Sequence, residues 1–175
     1  MEYVEIAAIP IFLTLAGVAI VRFRKLSWAG DVGFTLPSVA ATAAWIGAFL
    51  ALMIVQELSA TGESPRGTWL ENYDATQIAV RILAVGLLYP IVEEFFFRGV
   101  FLGAARRRIG TAAAVVVTSV IFGVIHTQYS FPIWAIADAL LFALCRVSSG
   151  SIYLPMLFHV VGNSYAVWER LQLPS

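Results

Sequence analysis

Three apolar stretches of the sequence carry carboxylate, imidazole and amide side chains at helical spacing. They are PIVEEFFFRGVFL, FGVIH and HVVGN, and the polar side chains in them are Glu93, Glu94, Arg98, His126, His159 and Asn163. Carboxylate and imidazole groups transfer protons, and amide or imidazole N–H groups stabilise a developing negative charge. Ionisable groups at membrane depth are costly and normally mark a functional interior site. The sequence therefore predicts proton-transfer chemistry at a polar site among apolar helices.

Spacing along the first stretch separates the two acids. Glu94 and Arg98 are four residues apart with the acid first, which is the better orientation for an ion pair within one helix. Glu93 then lies about 100° further round the helix and is available for chemistry. Pro90 lacks an amide hydrogen, so we expect a loosened turn that admits water just before the acids.

The elements that position these residues are membrane helices. The 175 residues are 60% hydrophobic and 13% charged, with a mean hydropathy of +0.84, whereas soluble domains have about 25% charged residues. Apolar runs cover residues 6–21, 37–56, 78–105, 109–127, 131–145 and 152–168. We predict an all-α polytopic membrane helix bundle of about six transmembrane helices. It forms a single integral membrane domain over residues 1–175, with a catalytic core at about 78–168.

Composition also excludes some functions. The formal net charge is zero and no basic tail is present, so the electrostatic attraction that nucleic-acid binding requires is missing. The single cysteine, Cys145, cannot form an internal disulfide and is expected to be a small core residue. The first apolar run follows the acidic flank MEYVE, which favours a retained span over a signal peptide.

Basic residues indicate the orientation of the spans. Seven of them follow spans one, three and five: Arg22, Arg24, Lys25, Arg106, Arg107, Arg108 and Arg146. By the positive-inside rule those loops are cytoplasmic, so both termini and the loop 57–77 are extracytoplasmic. Counted from the cytoplasmic ends, the two histidines, Glu93 and Asn163 lie roughly 14–24 Å deep, so we expect them to converge in one slab.

EEFFFR, FGVIH and HVVGN are EExxxR, FxxxH and HxxxN motifs in that order. On these motifs the chain resembles the CPBP intramembrane proteases, the group that includes the CaaX prenyl endopeptidases, over about residues 78–168. The resemblance implies an all-helical membrane fold and peptide-bond hydrolysis. It places Glu93 and His126 in the activating positions and His159 and Asn163 in the oxyanion-binding positions.

The residues supply what peptide hydrolysis in a membrane needs. Glu93 with His126 can activate water, His159 and Asn163 can stabilise the oxyanion, and Glu94 with Arg98 can orient Glu93. We expect an intramembrane endopeptidase that cuts near or within the membrane-associated tail of a protein or peptide substrate. The estimated depth suits trimming the tail of an exported protein.

The sequence leaves open whether a metal ion takes part and what Asp138 does. Glu93, His126 and His159 could bind zinc with an open position for water, but the sequence lacks HExxH, so a metal-free mechanism without a cofactor is favoured. Asp138, midway along the fifth span, is expected to pair with Arg81 or a helix carbonyl, with a third catalytic carboxylate as the alternative.

Other function classes remain open on the sequence alone. In a non-enzymatic membrane binding or immunity protein, the polar cluster would only pack helices. A proton-coupled transporter would use the same groups as a relay. The oligomeric state is not indicated.

Overall fold

The chain folds into six long helices, seen in a computed structural model that describes residues 2–59, 74–126 and 132–172. They are α1 (Glu2–Phe23), α2 (Val39–Ser59), α3 (Ala75–Ile109), α4 (Thr111–Ile125), α5 (Pro132–Ser149) and α6 (Tyr153–Gln172). The described ranges contain no β-strand. Within these ranges three helices, α1, α2 and α3, are long and apolar enough to cross a membrane. The predicted all-α polytopic membrane bundle is confirmed, although α4, with 15 residues, is shorter than a typical span. The expected extracytoplasmic loop 57–77 lies largely outside the described residues.

The central helix, α3, changes its hydrogen-bond pattern twice. π-helical turns at Ala84–Leu88 and Phe95–Phe101 enclose a regular α-helical turn at Tyr89–Glu94. Such turns wind the chain more widely and recur at functional sites. The first of them ends at Leu88, two residues before Pro90, so the loosened turn expected there is present. The second follows the two adjacent acids.

The other helices pack around α3 and α6. Val21 of α1 and Phe95 of α3 belong to one buried apolar cluster, together with Ile152 before α6. Phe49 of α2 and Phe158 of α6 belong to another, with ring centroids 4.7 Å apart in a stacked arrangement. Cys145 is fully buried in this second cluster, as expected for a core residue.

A buried arginine ties α5 to the connection between α1 and α2. Arg146 is 2% exposed and donates to the carbonyls of Gly30, Asp31 and Val32 at 2.9–3.1 Å. The next residue, Gly33, has a φ of 94°, and a Cβ there would lie 2.2 Å from Nε of Arg146. Only glycine fits such a position without strain. Arg146 is therefore part of the packed scaffold rather than a free charge of the loop surface.

Helices α4 and α5 approach closely at Gly123. A Cβ at this position would lie 2.2 Å from Cγ1 of Ile136 and 3.2 Å from its backbone nitrogen. Gly123→Ala is therefore expected to lower the free energy of unfolding by about 1–3 kcal/mol, as overpacking does. Denaturant titration of the purified protein in mixed micelles measures this loss.

Gly47 of α2 provides the matched control. A Cβ there meets no atom within 4 Å, and alanine is the better helix former. Gly47→Ala should leave stability unchanged or raise it slightly. An equal loss in both variants would show that close packing at Gly123 is not the cause.

Candidate active site

An ion pair within α3 forms the most buried part of the polar cluster. Oε1 of Glu94 lies 2.9 Å from Nη1 of Arg98, and their side chains are 0% and 2% exposed. The guanidinium carbon lies 4.1 Å from the ring centroid of Phe122 and 5.6 Å from that of Phe142. Aromatic faces attract a desolvated cation. The expected ion pair of Glu94 with Arg98 is present, and the guanidinium of Arg98 lies near the two aromatic rings.

His159 of α6 joins this pair. Its Nδ1 lies 2.9 Å from Oε1 of Glu94. Because a carboxylate paired with Arg98 only accepts hydrogen bonds, Nδ1 carries a hydrogen and donates it. The other ring nitrogen, Nε2, lies 3.8 Å from Oε2 of Glu93. His159 therefore connects the buried Glu94 to Glu93.

His126 lies at the C-terminal end of α4. The helix ends at Ile125, and His126 follows with φ −98° and ψ 29°. Its Nδ1 is 2.7 Å from the carbonyl oxygen of Phe122, one of the carbonyls that a helix end leaves without a backbone partner. A carbonyl only accepts, so Nδ1 carries the hydrogen, and in the neutral ring Nε2 keeps its lone pair. That Nε2 lies 3.8 Å from Oε2 of Glu93.

Glu93 is thus the point at which three helices meet. A single carboxylate oxygen, Oε2, faces Nε2 of His126 and Nε2 of His159 at 3.8 Å each. Its side chain is 16% exposed, whereas the neighbouring Glu94 is fully buried. A separation of 3.8 Å is too long for a direct hydrogen bond, but one water molecule can bridge it. The expected convergence is present for Glu93 and the two histidines.

Asn163 has a different immediate partner. Pro90 cannot donate to the carbonyl of Gly86 in an α-helical pattern or to that of Val85 in a π-helical one. Helix α6 supplies both missing donors: Nδ2 of Asn163 donates to Val85 at 3.0 Å, and the Ser164 hydroxyl donates to Gly86 at 3.3 Å. The expectation that this turn opens to water is therefore wrong for these two carbonyls, which α6 satisfies.

Sequence reasoning missed the structural use of Ser164, which looked like an ordinary small polar residue of a helix. The available signal was Pro90, because a proline inside a helix leaves a carbonyl that a facing helix must satisfy. Finding Ser164 from that signal would have required the rotation of α6 relative to α3.

Asp138 of α5 also contacts a residue that sequence reasoning did not single out. Nε2 of Gln56, on α2, donates to its Oδ1 at 3.0 Å. The expected partners were Arg81 or a helix carbonyl, so the hydrogen bond seen here is a correction. A polar amide near the end of an apolar helix was the signal that could have indicated it.

A metal ion at this site would have to be held by the same side chains. Within the described ranges, no group of three His, Cys, Asp or Glu side chains has the arrangement needed to hold a metal ion. Nδ1 of His159 is directed at Glu94, and Nδ1 of His126 at a backbone carbonyl. Only the two Nε2 atoms and Glu93 face one another, at distances that fit a bridging water.

Comparison with known proteins gives one family and several relatives. The family described as type II CAAX prenyl endopeptidase Rce1-like matches residues 75–165, which hold all three motifs. The membrane-embedded CAAX protease MroQ of Staphylococcus aureus is 26% identical over 106 residues, covering 57% of this chain and 43% of that protein. YdiL of Bacillus subtilis is 26% identical over 95 residues, covering 54% and 39%. The matches thus span less than half the length of these relatives, and no solved structure gives a significant match.

Proposed function

Because the chain belongs to the Rce1-like family of type II CAAX prenyl endopeptidases, we propose that it is an intramembrane endopeptidase. Its substrate is a membrane-associated protein or peptide, cut near or within the part that contacts the bilayer. The observation that carries the proposal is the position of Oε2 of Glu93, 3.8 Å from Nε2 of both His126 and His159.

Glu93 and His126 activate water in this proposal. A water molecule between them donates one hydrogen to Oε2 of Glu93 and the other to Nε2 of His126. The bond from Nδ1 of His126 to Phe122 supports this role, because it fixes the tautomer in which Nε2 accepts. Glu93 takes the proton as the oxygen attacks the peptide carbonyl, and then returns it to the leaving amine. General acid–base catalysis of this kind contributes about 10²- to 10⁴-fold in rate.

His159 and Asn163 stabilise the tetrahedral oxyanion. Since Nδ1 of His159 donates to Glu94, its donor to the oxyanion is Nε2, and both ring nitrogens must then carry hydrogen. Asn163 has a second amide hydrogen besides the one given to Val85. One oxyanion donor is worth about 3 kcal/mol of the barrier.

The proposal also includes the orientation of the helix bundle in the membrane. The ends of α1 and α3 line one cavity. Arg24 and Lys25, just after α1, therefore lie at the same end of the bundle as Arg107 and Arg108, which are in the last turn of α3. Cytoplasmic placement of that end puts both termini outside and the site in the outer half of the bilayer. A cysteine introduced next to Thr127, in a Cys145→Ser background, should then react with an impermeant thiol reagent in intact cells. Protection of that cysteine until the cells are lysed would reverse the orientation.

Comparative proteomics of membrane fractions tests the proposed activity. Cells producing the protein should accumulate shortened membrane tails that are absent from cells producing Glu93→Gln at the same level. The cut positions identify the substrate. Identical tail profiles in the two strains would contradict the proposal and favour a non-enzymatic binding or immunity protein.

Chelation separates the metal-free mechanism from its zinc-dependent alternative. If Glu93 itself activates water, the purified protein should keep its full cleavage rate after dialysis against a strong chelator. A zinc enzyme with Glu93, His126 and His159 as ligands would lose activity and regain it with added zinc. Metal analysis of the active sample provides the control, since the zinc alternative requires about one equivalent.

A further inference from the structure

A cavity of about 360 Å³ lies where α1 and α3 end, away from the candidate active site. Its charged lining consists of Arg24, Lys25, Arg107 and Arg108. Its apolar lining includes Phe23, which is 84% exposed, and Leu26. The volume falls in the range of roughly 300–1,000 Å³ typical of ligand sites. The cavity is therefore cationic and apolar at once.

Most of the positive charge at this cavity has no acidic partner among the described residues. Arg107 contacts Asp31 through two nitrogens, with Nε 2.9 Å from Oδ1. Among the residues that the structure describes, Arg24, Lys25 and Arg108 form no ion pair. Within the described part of the chain, three cationic side chains thus line the cavity without an acid to pair with them.

The backbone at Lys25 closes the end of α1. Lys25 has a φ of 50°, the only positive φ at a non-glycine position in the described ranges. Glycine or asparagine normally fills this place after a helix because a side chain is strained there. The amide of Leu26 donates to the carbonyl of Val21 at 2.9 Å and the amide of Lys25 to that of Arg22 at 3.3 Å, which are the bonds of a regular helix cap. The cap fixes the backbone from which Lys25 lines the cavity.

We propose that this cavity binds the headgroup of an anionic phospholipid. It lies at the ends of two helices long and apolar enough to span a membrane, which is the level of the lipid phosphates. Basic pockets between transmembrane helices bind such headgroups. The phosphate contacts Arg24, Lys25 and Arg108, and the apolar wall at Phe23 contacts the glycerol and the first acyl carbons. A free phosphate would use the cations and leave the apolar wall without a partner.

The rule that positive loops face the cytoplasm explains basic residues at this end of the bundle, but it does not explain a cavity. Arg22 and Arg106 belong to the same two basic runs and do not line the cavity. They provide a matched control, because removing them subtracts the same charge from the same end of the bundle.

Binding of the phospholipid can be measured by its effect on the melting temperature of the protein. The protein is purified in a neutral detergent, and its melting temperature is followed as phosphatidylglycerol or phosphatidylcholine is added. Phosphatidylglycerol should raise the melting temperature by roughly 4 °C or more at saturation, and phosphatidylcholine should have little effect. Arg24→Gln/Arg108→Gln should lose most of this shift, and Arg22→Gln/Arg106→Gln should keep it.

Three results would overturn the proposal. They are equal shifts with the two lipids, equal losses in the two double variants, and a full shift with glycerol 3-phosphate alone, which would indicate a free-phosphate site. If the cavity variant does not fold, native mass spectrometry of the wild-type protein with an equimolar lipid mixture decides. Preferential retention of phosphatidylglycerol is expected, and equal retention would contradict the proposal. Neither measurement involves proteolysis, so failure here leaves the proposed endopeptidase activity untouched.

Discussion

Replacing Glu93 with glutamine is expected to lower kcat for substrate cleavage by about 10²- to 10⁴-fold, the usual contribution of a general base. Glutamine matches glutamate in size and can still bond to a bridging water, but it cannot accept the proton. The effect should appear in kcat rather than KM, because the proton moves only in the chemical step. Single-turnover cleavage of a membrane-anchored peptide by protein in liposomes measures it directly.

Asp138→Asn is the matched control for this variant. It makes the same change from carboxylate to amide in a neighbouring helix, and Gln56 can still donate to the oxygen that remains. Its cleavage rate should stay within a few-fold of the wild-type rate. A loss as large as that of Glu93→Gln would make Asp138 a third catalytic carboxylate. A normal rate in Glu93→Gln, with normal folding, would show that Glu93 is not the base.

Contacts within one helix could be predicted from the sequence. Glu94 and Arg98 are four residues apart, and that spacing alone brings their side chains together once the helix forms. The loosened turn at Pro90 follows in the same way from a missing amide hydrogen. Convergence of Glu93 with His126 and His159 was predicted from their similar depths together with the expectation that ionisable groups in a membrane face the bundle interior.

Contacts between helices could not be predicted in the same way. The bonds from Gln56 to Asp138 and from Asn163 to Val85 depend on how each helix is rotated about its own axis. Periodicity within one apolar helix says little about rotation, because nearly every face is hydrophobic. The burial of Arg146 was not predicted either, because a basic residue at a helix end normally indicates a surface charge.

The polar cluster is organised in two layers with different exposure. Glu94 and Arg98 form an inner layer that is almost completely buried, and Glu93 and His126 form an outer layer, each with a side chain that is 16% exposed. His159 bonds to the inner layer through Nδ1 and faces the outer one through Nε2. Loss of the inner layer should therefore affect stability first, whereas loss of the outer layer should affect chemistry.

Arg98→Met is accordingly expected to lower the free energy of unfolding by about 3–5 kcal/mol, because it leaves the charge of Glu94 buried without its counter-charge. Glu94 is 0% exposed, so water cannot replace the arginine. Denaturant titration in mixed micelles measures the loss. Arg107→Met is the matched control, since that arginine pairs with Asp31 at the surface with 47% of its side chain exposed. An exposed pair is worth about 1 kcal/mol or less.

The double variant Glu94→Gln/Arg98→Met tests whether charge is the cause. Removing both charges abolishes the buried unpaired carboxylate, so most of the lost stability should return, as it does when buried ion pairs are replaced by neutral groups. If the double variant is as unstable as Arg98→Met, the guanidinium acts through its contacts with Phe122 and Phe142 instead. Recovered stability should not restore cleavage. The carboxylate of Glu94 is a charged acceptor for Nδ1 of His159, and the neutral amide of glutamine would hold that ring less strongly. Stability and activity would then separate in one protein, as the two layers require.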